Sequence, residues 1–202
     1  NTNIIGTHSL VEAFHEYISF NKNAFRLNYK FIYISTDEVY GDIVNKKKQR
    51  SKENDLILPS SPYSSTKAAS EMILNSWKRT FDFPSIICRP SNNYGPFKNK
   101  EKLIPLVISS FLTNNKIPIY GDGSQIRNWI FVEDTVNALI KVMNNSKLGK
   151  VYNISSDIEI KNIKLIKLIH KELLSNKLIN EKDINNFLKF VPDRLGHDIR
   201  YS

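Results

Sequence analysis

Phe31-Ile32-Tyr33-Ile34-Ser35-Thr36-Asp37-Glu38-Val39-Tyr40-Gly41 decides the reading of this chain. Its first residues are β-branched and aromatic, an apolar run of strand length. It then turns polar and closes on a glycine. Strands of an open parallel sheet are covered on both faces, so they read as continuous apolar runs. Ligands of such sheets lie just past the carboxyl ends of the strands. Thr36, Asp37 and Glu38 fall there, and a hydroxyl with two adjacent carboxyls can serve as hydrogen-bond donor, general acid and general base. The structural alternative is a helix N-cap, a place that Thr and Asp both favour.

Working outward, Pro62-Tyr63-Ser64-Ser65-Thr66-Lys67 leads into Ala68, Ala69, Glu71, Met72, Leu74 and Trp77, a helical pattern predicted over 62–79. Proline at the first helical position presets φ. Tyr63 and Lys67 then stand at i and i+4 on one face. A free tyrosine titrates near pH ~10, and an adjacent ammonium lowers that value. The pair therefore forms a candidate proton-transfer unit; a surface tyrosine packed along a lysine stem is the other reading.

Together and in this order, these two stretches resemble the extended short-chain dehydrogenase/reductase superfamily. Ser35-Thr36-Asp37-Glu38-Val39-Tyr40-Gly41 is similar to its nucleoside-diphosphate-glucose 4,6-dehydratase branch, and the Asp-Glu pair is the feature that related epimerases and decarboxylases usually lack. The resemblance implies a Rossmann-like doubly wound parallel sheet with a smaller α/β substrate-binding domain. Residues 1–98 would belong to the NAD-binding part. Residues 99–202 would be mainly sugar-nucleotide-binding, with some segments returning to the Rossmann sheet. It also implies catalytic roles for Thr36, Asp37, Glu38, Tyr63 and Lys67, and NAD contacts from Ser35, Tyr63, Lys67 and Asn92.

Further matches follow along the chain. Phe83 to Arg89 reads as the next strand, emptying into a loop at Ser91-Asn92-Asn93-Tyr94-Gly95-Pro96, similar to the dehydratase motif. Asn93 is expected at the substrate diphosphate, although asparagine also abounds in turns. Glu101-Lys102-Leu103-Ile104-Pro105 resembles the next segment, with Lys102 reaching a diphosphate and Leu103 flanking a base. An amphipathic helix with an exposed lysine explains it equally well. Arg127 is the leading anion ligand, because a guanidinium fork suits a diphosphate better than an ammonium does. The family's usual Asp after it is Asn128 here, and its usual Gly pair is Ser155-Ser156. Asn153 resembles a position near the sugar nucleotide. Glu133 and Asp134 are expected to cap a helix over 135–143, and Asn162 to cap the one after it. Asp193-Arg194-Leu195-Gly196-His197-Asp198 resembles a dehydratase signature in which Arg194 and His197 meet the nucleotide. Leu195 stands where the family has Pro, which relaxes that turn.

The implied reaction is NAD-dependent conversion of a nucleoside-diphosphate glucose to its 4-keto-6-deoxy sugar. The dTDP sugar is placed first, with UDP-glucose, a related epimerase or decarboxylase, and an inactive paralogue as alternatives. Tyr63, its pKa lowered by Lys67, is expected to take the proton of the sugar 4-hydroxyl, with Thr36 bonded to that oxygen. Glu38 takes the C5 proton and Asp37 protonates the departing 6-hydroxyl. Relatives also imply a homodimer through the helices near 3–19 and 62–79. In the first of these, Ile4, Leu10, Val11, Phe14 and Ile18 form the expected apolar face. No Gly-rich pyrophosphate turn occurs. The expectation is a piece cut at both ends of the family's length and inactive by itself.

Composition sets the outer bounds. Of 202 residues, 41% are hydrophobic and 24% charged, a globular balance. No apolar run approaches the ~20 residues a membrane span needs. The single cysteine, Cys88, excludes an internal disulfide and fits a reducing, cytoplasmic setting. The net charge of +9 raises the question of nucleic acid. The lysines are dispersed, however, and the dense run Lys46-Lys47-Lys48-Gln49-Arg50 has no aromatic platform beside it. The reading is no nucleic acid and no membrane. No His, Cys or carboxylate cluster has metal-ligand spacing, so no metal is expected. His170 is placed at the surface or the core edge.

Overall fold

The computed structural model describes residues 2–20, 29–43 and 50–200. Lys46 to Gln49 of the basic run and Tyr201 lie outside the described residues.

The opening run forms β1, Phe31–Ile34. It pairs in parallel with β2, Ser85–Pro90, which pairs in parallel with β6, Val151–Ile154, giving the order β1-β2-β6. Central β2 is buried along nearly its whole length, as a parallel strand covered on both faces must be. Side chains alternate across a strand. Ile87 therefore joins Val11, Leu74 and Phe83 beneath α1, Ile4–Phe20, and α2, Pro62–Phe81. Ile86 and Cys88 face the other way, onto Ile130, Val142 and Ile154, where α4, Val132–Asn145, packs. Burial pushes the Cys88 thiol up to about 11, so it is an inert apolar filler.

A second core gathers Val107 and Phe111 of α3, Leu103–Leu112, with Ile117 and Ile119 of β4, Ile117–Tyr120. Ile166 and Leu173 of α5, Asn162–Ser175, complete it with Phe187. Strand β4 pairs in parallel with β8, Leu188–Val191. His170 is buried in this core, its ring 5.0 Å from that of Phe111, with Nε2 3.0 Å from the Glu181 carbonyl. Between the two cores, β3, Asn92–Tyr94, runs parallel to β5, Ile126–Phe131, which pairs antiparallel with β7, Glu159–Lys161.

Several expectations change. Ser91 to Pro96 is not a loop throughout: Asn92 and Asn93 sit in β3, opposite Trp129 and Ile130. The sheet neighbour β5 overrides the turn propensity of asparagine. Helix α4 begins before Glu133 and Asp134, with Phe131 at its N-cap. The two carboxylates stand in the first turn and meet the helix dipole rather than capping. Lys161, not Asn162, takes the N-cap position of α5. In α1 the inward face is Thr7, Val11 and Phe14, whereas Leu10 is 63% exposed. The helix carries apolar residues on two sides, and the sheet covers one.

Candidate active site

Strand β1 delivers Ser35 and Thr36 to the sheet's carboxyl edge, and the next four residues, Asp37–Tyr40, coil into a 3-10 turn. Both sequence readings of Thr36 meet here. It is the N-cap, its Oγ1 accepting from the Glu38 N–H at 3.3 Å, and it stands next to both carboxyls. Its hydroxyl also donates to Asp37 Oδ1 at 3.5 Å. The turn closes on Gly41 at φ +71, whose N–H reaches the Glu38 carbonyl at 3.1 Å. A Cβ on Gly41 would lie 2.0 Å from the Leu58 carbonyl oxygen, so no other residue fits.

Burial pushes the Glu38 carboxyl above the usual range; Arg127 pulls it down, Asp198 pushes it up again and Lys102 pulls it down. Three charged groups from distant parts of the chain thus act on the turn. A glutamate raised by burial is a stronger base once ionised, and the two cations favour the ionised form.

Helix α2 presents the second half of the site. Ser61 and Ser64 form a capping box and Pro62 opens the helix. Tyr63 is half-exposed. Its phenol is raised, first by burial and then by the facing charges of Glu38, Tyr33 and Asp37. This reverses the expectation that Lys67 lowers it. The Lys67 ammonium donates to the Ile34 carbonyl at 2.7 Å and sits 4.8 Å over the Tyr33 ring. Its charge is spent along β1, while Tyr63 looks toward carboxylates. In the chain alone Tyr63 is a neutral phenol.

Ser35 is buried, and its Oγ has no partner among the described residues. Asn93 donates from Nδ2 to the Ser91 carbonyl at 3.0 Å and leaves a buried Oδ1 without one. Asn92 adjoins it on β3. Lys98, which sequence reasoning passed over, donates to the Asn93 carbonyl, and burial and Lys102 lower its pKa. Lys102 is exposed at the N-cap of α3, and Leu103 packs half-buried on the second core.

Arg127 is buried on β5. Its Nη2 donates to the Asp198 carbonyl at 2.9 Å, and Nη1 to those of Ile126 at 2.8 Å and Ile199 at 3.4 Å. These carbonyl oxygens orient the guanidinium. The segment around Asp198 is fixed by Ser60 Oγ on Asp198 Oδ1 at 2.5 Å, Asp42 on the Ile199 N–H at 2.9 Å, and the Arg200–Glu159 ion pair at 2.9 Å. Asn128 is buried: its Oδ1 accepts from Ser91 Oγ at 2.8 Å and the Ser156 N–H at 3.0 Å, and its Nδ2 donates to the Ser156 carbonyl at 2.7 Å. Asn128 and Ser156, two of the residues expected to depart from the family pattern, are thus bonded to each other.

Nearby, the Arg194 guanidinium stacks 3.9 Å over the Tyr120 ring. His197 Nδ1 is 2.6 Å from Asp193 Oδ1, and Gln125 Nε2 donates to Asp193 Oδ2 at 2.9 Å. The His197 contact holds the Asp193 carboxyl below its ordinary value. Asn162, bonded through its N–H to the Gln125 carbonyl at 2.9 Å, carries a buried Oδ1 with no partner among the described residues. Sequence reading had offered it only as a cap. Asn153, expected near the sugar nucleotide, makes side-chain bonds within the chain. Its Oδ1 accepts from Tyr40 at 2.7 Å and its Nδ2 donates to the Ser51 carbonyl at 3.0 Å, so both amide atoms are used within the chain. Among the described residues no group of His, Cys, Asp and Glu could hold a metal ion, and no helix is long and apolar enough to cross a membrane.

The site is thus a parallel α/β sheet that ends in an acid pair, beside a helix that starts with Tyr63 and Lys67. Residues 1–155 match the model of the NAD dependent epimerase/dehydratase family, and the chain belongs to that family. It is 44% identical over 208 residues to a dTDP-glucose 4,6-dehydratase of Escherichia coli, which covers all of this chain and 57% of that protein. The corresponding protein of Haemophilus influenzae is 43% identical, with 60% of its length covered. The chain therefore spans somewhat more than half the length of these relatives. Among solved structures, the dTDP-glucose 4,6-dehydratase of Bacillus anthracis in complex with NAD superposes with a TM-score of 0.84 at 37% identity. The match covers the whole of this chain and 58% of that one. The enzyme of Streptomyces venezuelae, with NAD bound, gives 0.85 at 31% identity, again over the whole chain and 56% of its own.

Proposed function

We propose that the protein carries out NAD-dependent 4,6-dehydration of dTDP-glucose. The observation that carries this reading is the placement of the acid pair: Asp37 and Glu38 form the turn that follows β1, and Lys67, on the helix that opens with Tyr63, bonds the Ile34 carbonyl at the end of that strand. An alcohol oxidation needs only the tyrosine side. An elimination needs an acid and a base beside it, and the Asp37–Glu38 turn supplies two carboxyls there. Curated relatives over 40% identical carry the same activity in their names, which supports the choice of nucleotide.

The residues present fit the nicotinamide end of NAD. Ser35 Oγ is a buried polar atom without a partner among the described residues, at the carboxyl end of β1, with Tyr63 and Lys67 on one face of α2 beside it. When bound, NAD would supply the hydride acceptor for C4 and the hydride donor for C6, and its positively charged ring would favour a phenolate at Tyr63. Tyr63 Oη takes the proton of the 4-hydroxyl, and Thr36 Oγ1 holds that oxygen. The resulting 4-keto group acidifies C5, whose proton passes to the Glu38 carboxylate. Asp37 gives a proton to the departing 6-hydroxyl, which leaves as water, and C5 is reprotonated as C6 takes the hydride.

Arg127, Lys102 and Asn93 are the diphosphate contacts of this reading, with Asn92 on the cofactor side. Leu103, Arg194 and His197 are placed at the nucleotide, and Asn162 Oδ1 and Tyr120 join them. Asn153, half-buried on β6, is placed near the sugar. We place the enzyme in the cytoplasm and pair it as a homodimer. The exposed Ile4, Ile5, Leu10 and Tyr17 of α1 and Met72 and Phe81 of α2 support that pairing. A charge at Leu10, Leu10→Glu, is expected to halve the sedimenting mass; an unchanged mass would move the interface elsewhere.

The test supplies the full-length protein with NAD and dTDP-glucose, then UDP-glucose, and follows the alkaline absorbance of a 4-keto-6-deoxy sugar. Product from dTDP-glucose at much the higher kcat/KM is expected. Preference for UDP-glucose would reassign the base. No keto sugar from either would overturn the reading in favour of an epimerase, a decarboxylase or an inactive relative.

A further inference from the structure

Behind the reacting face lies a buried polar network that the proposed reaction does not use directly. Arg89, in β2, sends Nε and Nη2 to the two carboxylate oxygens of Glu71 at 3.0 and 2.6 Å. Its Nη1 donates to the Tyr40 hydroxyl at 2.6 Å, and the guanidinium lies 4.8 Å from the centre of the Tyr40 ring. Tyr40 in turn donates to Asn153 Oδ1 at 2.7 Å. Glu71 is fully buried, and Arg89 and Tyr40 are nearly so.

The sequence positions of these residues give the network its meaning. Glu71 is one helical turn beyond Lys67 and two beyond Tyr63 on α2. Tyr40 is the last residue of the turn that carries Asp37 and Glu38. Arg89 and Asn153 are directly paired positions of β2 and β6. One guanidinium therefore ties the tyrosine helix, the acid turn and the sheet together. A buried ion pair adds little net stability over an apolar core of the same volume, because desolvation offsets the attraction. What it does supply is direction. A bidentate fork fixes angle as well as distance.

We infer that Arg89 and Tyr40 are positioning residues, holding the Asp37–Glu38 turn at a fixed distance and angle from Tyr63 so that one substrate meets both. The inference rests on the dehydratase reading for its catalytic consequence, but not for its structural one. Misplacing a reacting group by about 1 Å costs on the order of 100-fold in rate.

The test uses the full-length protein with Tyr40→Phe, which removes one hydroxyl, and Arg89→Lys, which keeps the charge but loses the fork. Three readouts are taken: hydrogen–deuterium exchange of the 36–41 backbone, kcat and KM separately, and the melting temperature. In both variants exchange at 36–41 is expected to rise about tenfold. The kcat is expected to fall by a factor of about 10 to 100, with KM within about twofold. If Tyr40→Phe does not fold, Arg89→Lys carries the same readouts. A folded variant whose 36–41 exchange and kcat both match wild type would overturn the inference, leaving the network a packing feature only. Faster exchange in the variants of a protein that makes no keto sugar would uphold the positioning and sink the dehydratase reading instead.

Discussion

Gly41→Ala is the perturbation whose cost the structure fixes most closely. The new methyl would stand 2.0 Å from the Leu58 carbonyl oxygen, where contact begins near ~3.4 Å, so the main chain at Leu58 must retreat by more than about 1 Å. Leu58 is tied to the turn through its own N–H on the Val39 carbonyl at 3.0 Å, and the retreat breaks that bond, costing about 1 kcal/mol. Holding alanine at φ +71 adds about 1–2 kcal/mol. The sum, about 2–3 kcal/mol, corresponds to a melting temperature lower by about 4–12 °C for a protein of this size. Thermal unfolding by circular dichroism measures it. Gly41→Asn is expected to be as poor as Gly41→Ala, because at φ +71 and ψ −167 the backbone lies outside the left-handed helical region that asparagine tolerates, and the Cβ remains. An unchanged melting temperature in Gly41→Ala, or full recovery in Gly41→Asn, would refute the reasoning.

Two further substitutions test the site's chemistry through stability. Glu38 is raised above its unfolded value, so its contribution to stability is fully present below roughly pH 4 and is lost as pH rises through the folded value. Glu38→Gln is therefore expected to melt higher than wild type at neutral pH, the difference vanishing in acid; equal melting curves at neutral pH would contradict the burial argument. Asn128→Asp removes the donor that satisfies the Ser156 carbonyl and sets a carboxylate against it, at an expected cost of about 1–3 kcal/mol by chemical denaturation. No loss in that variant would mean that the Ser91–Asn128–Ser156 bonds are dispensable.

Local sequence carried the parts of this account that depend on local physics. The apolar run at 31–34 forms the strand, Pro62 opens the helix, and the polar residues after Ile34 sit at the sheet edge, because burial pattern and capping act within a few residues. The parts it did not show depend on distant partners. No spacing in the chain announces that Arg89 meets Glu71, that Asp198 acts on Glu38, or that Tyr40 and Ser51 bond Asn153. Tyr63 and Lys67 do share a helix face as the i, i+4 rule requires. The rule says nothing of the Ile34 carbonyl that the ammonium meets, nor of the burial and the facing carboxylates that raise Tyr63. Likewise β5 turned the Asn92–Asn93 loop into a strand, a pairing visible only once the chain is folded.

The central claim is that Glu38 removes the C5 proton of a nucleotide-bound 4-keto glucose. Its most direct test is proton NMR of the product formed by the full-length protein from dTDP-glucose in deuterium oxide. A carboxyl open to solvent exchanges its proton, so the account predicts a 4-keto-6-deoxy sugar deuterated at C5, and no such sugar from Glu38→Gln. A product that retains hydrogen at C5, undiminished elimination in Glu38→Gln, or a simple 4-epimer would contradict it.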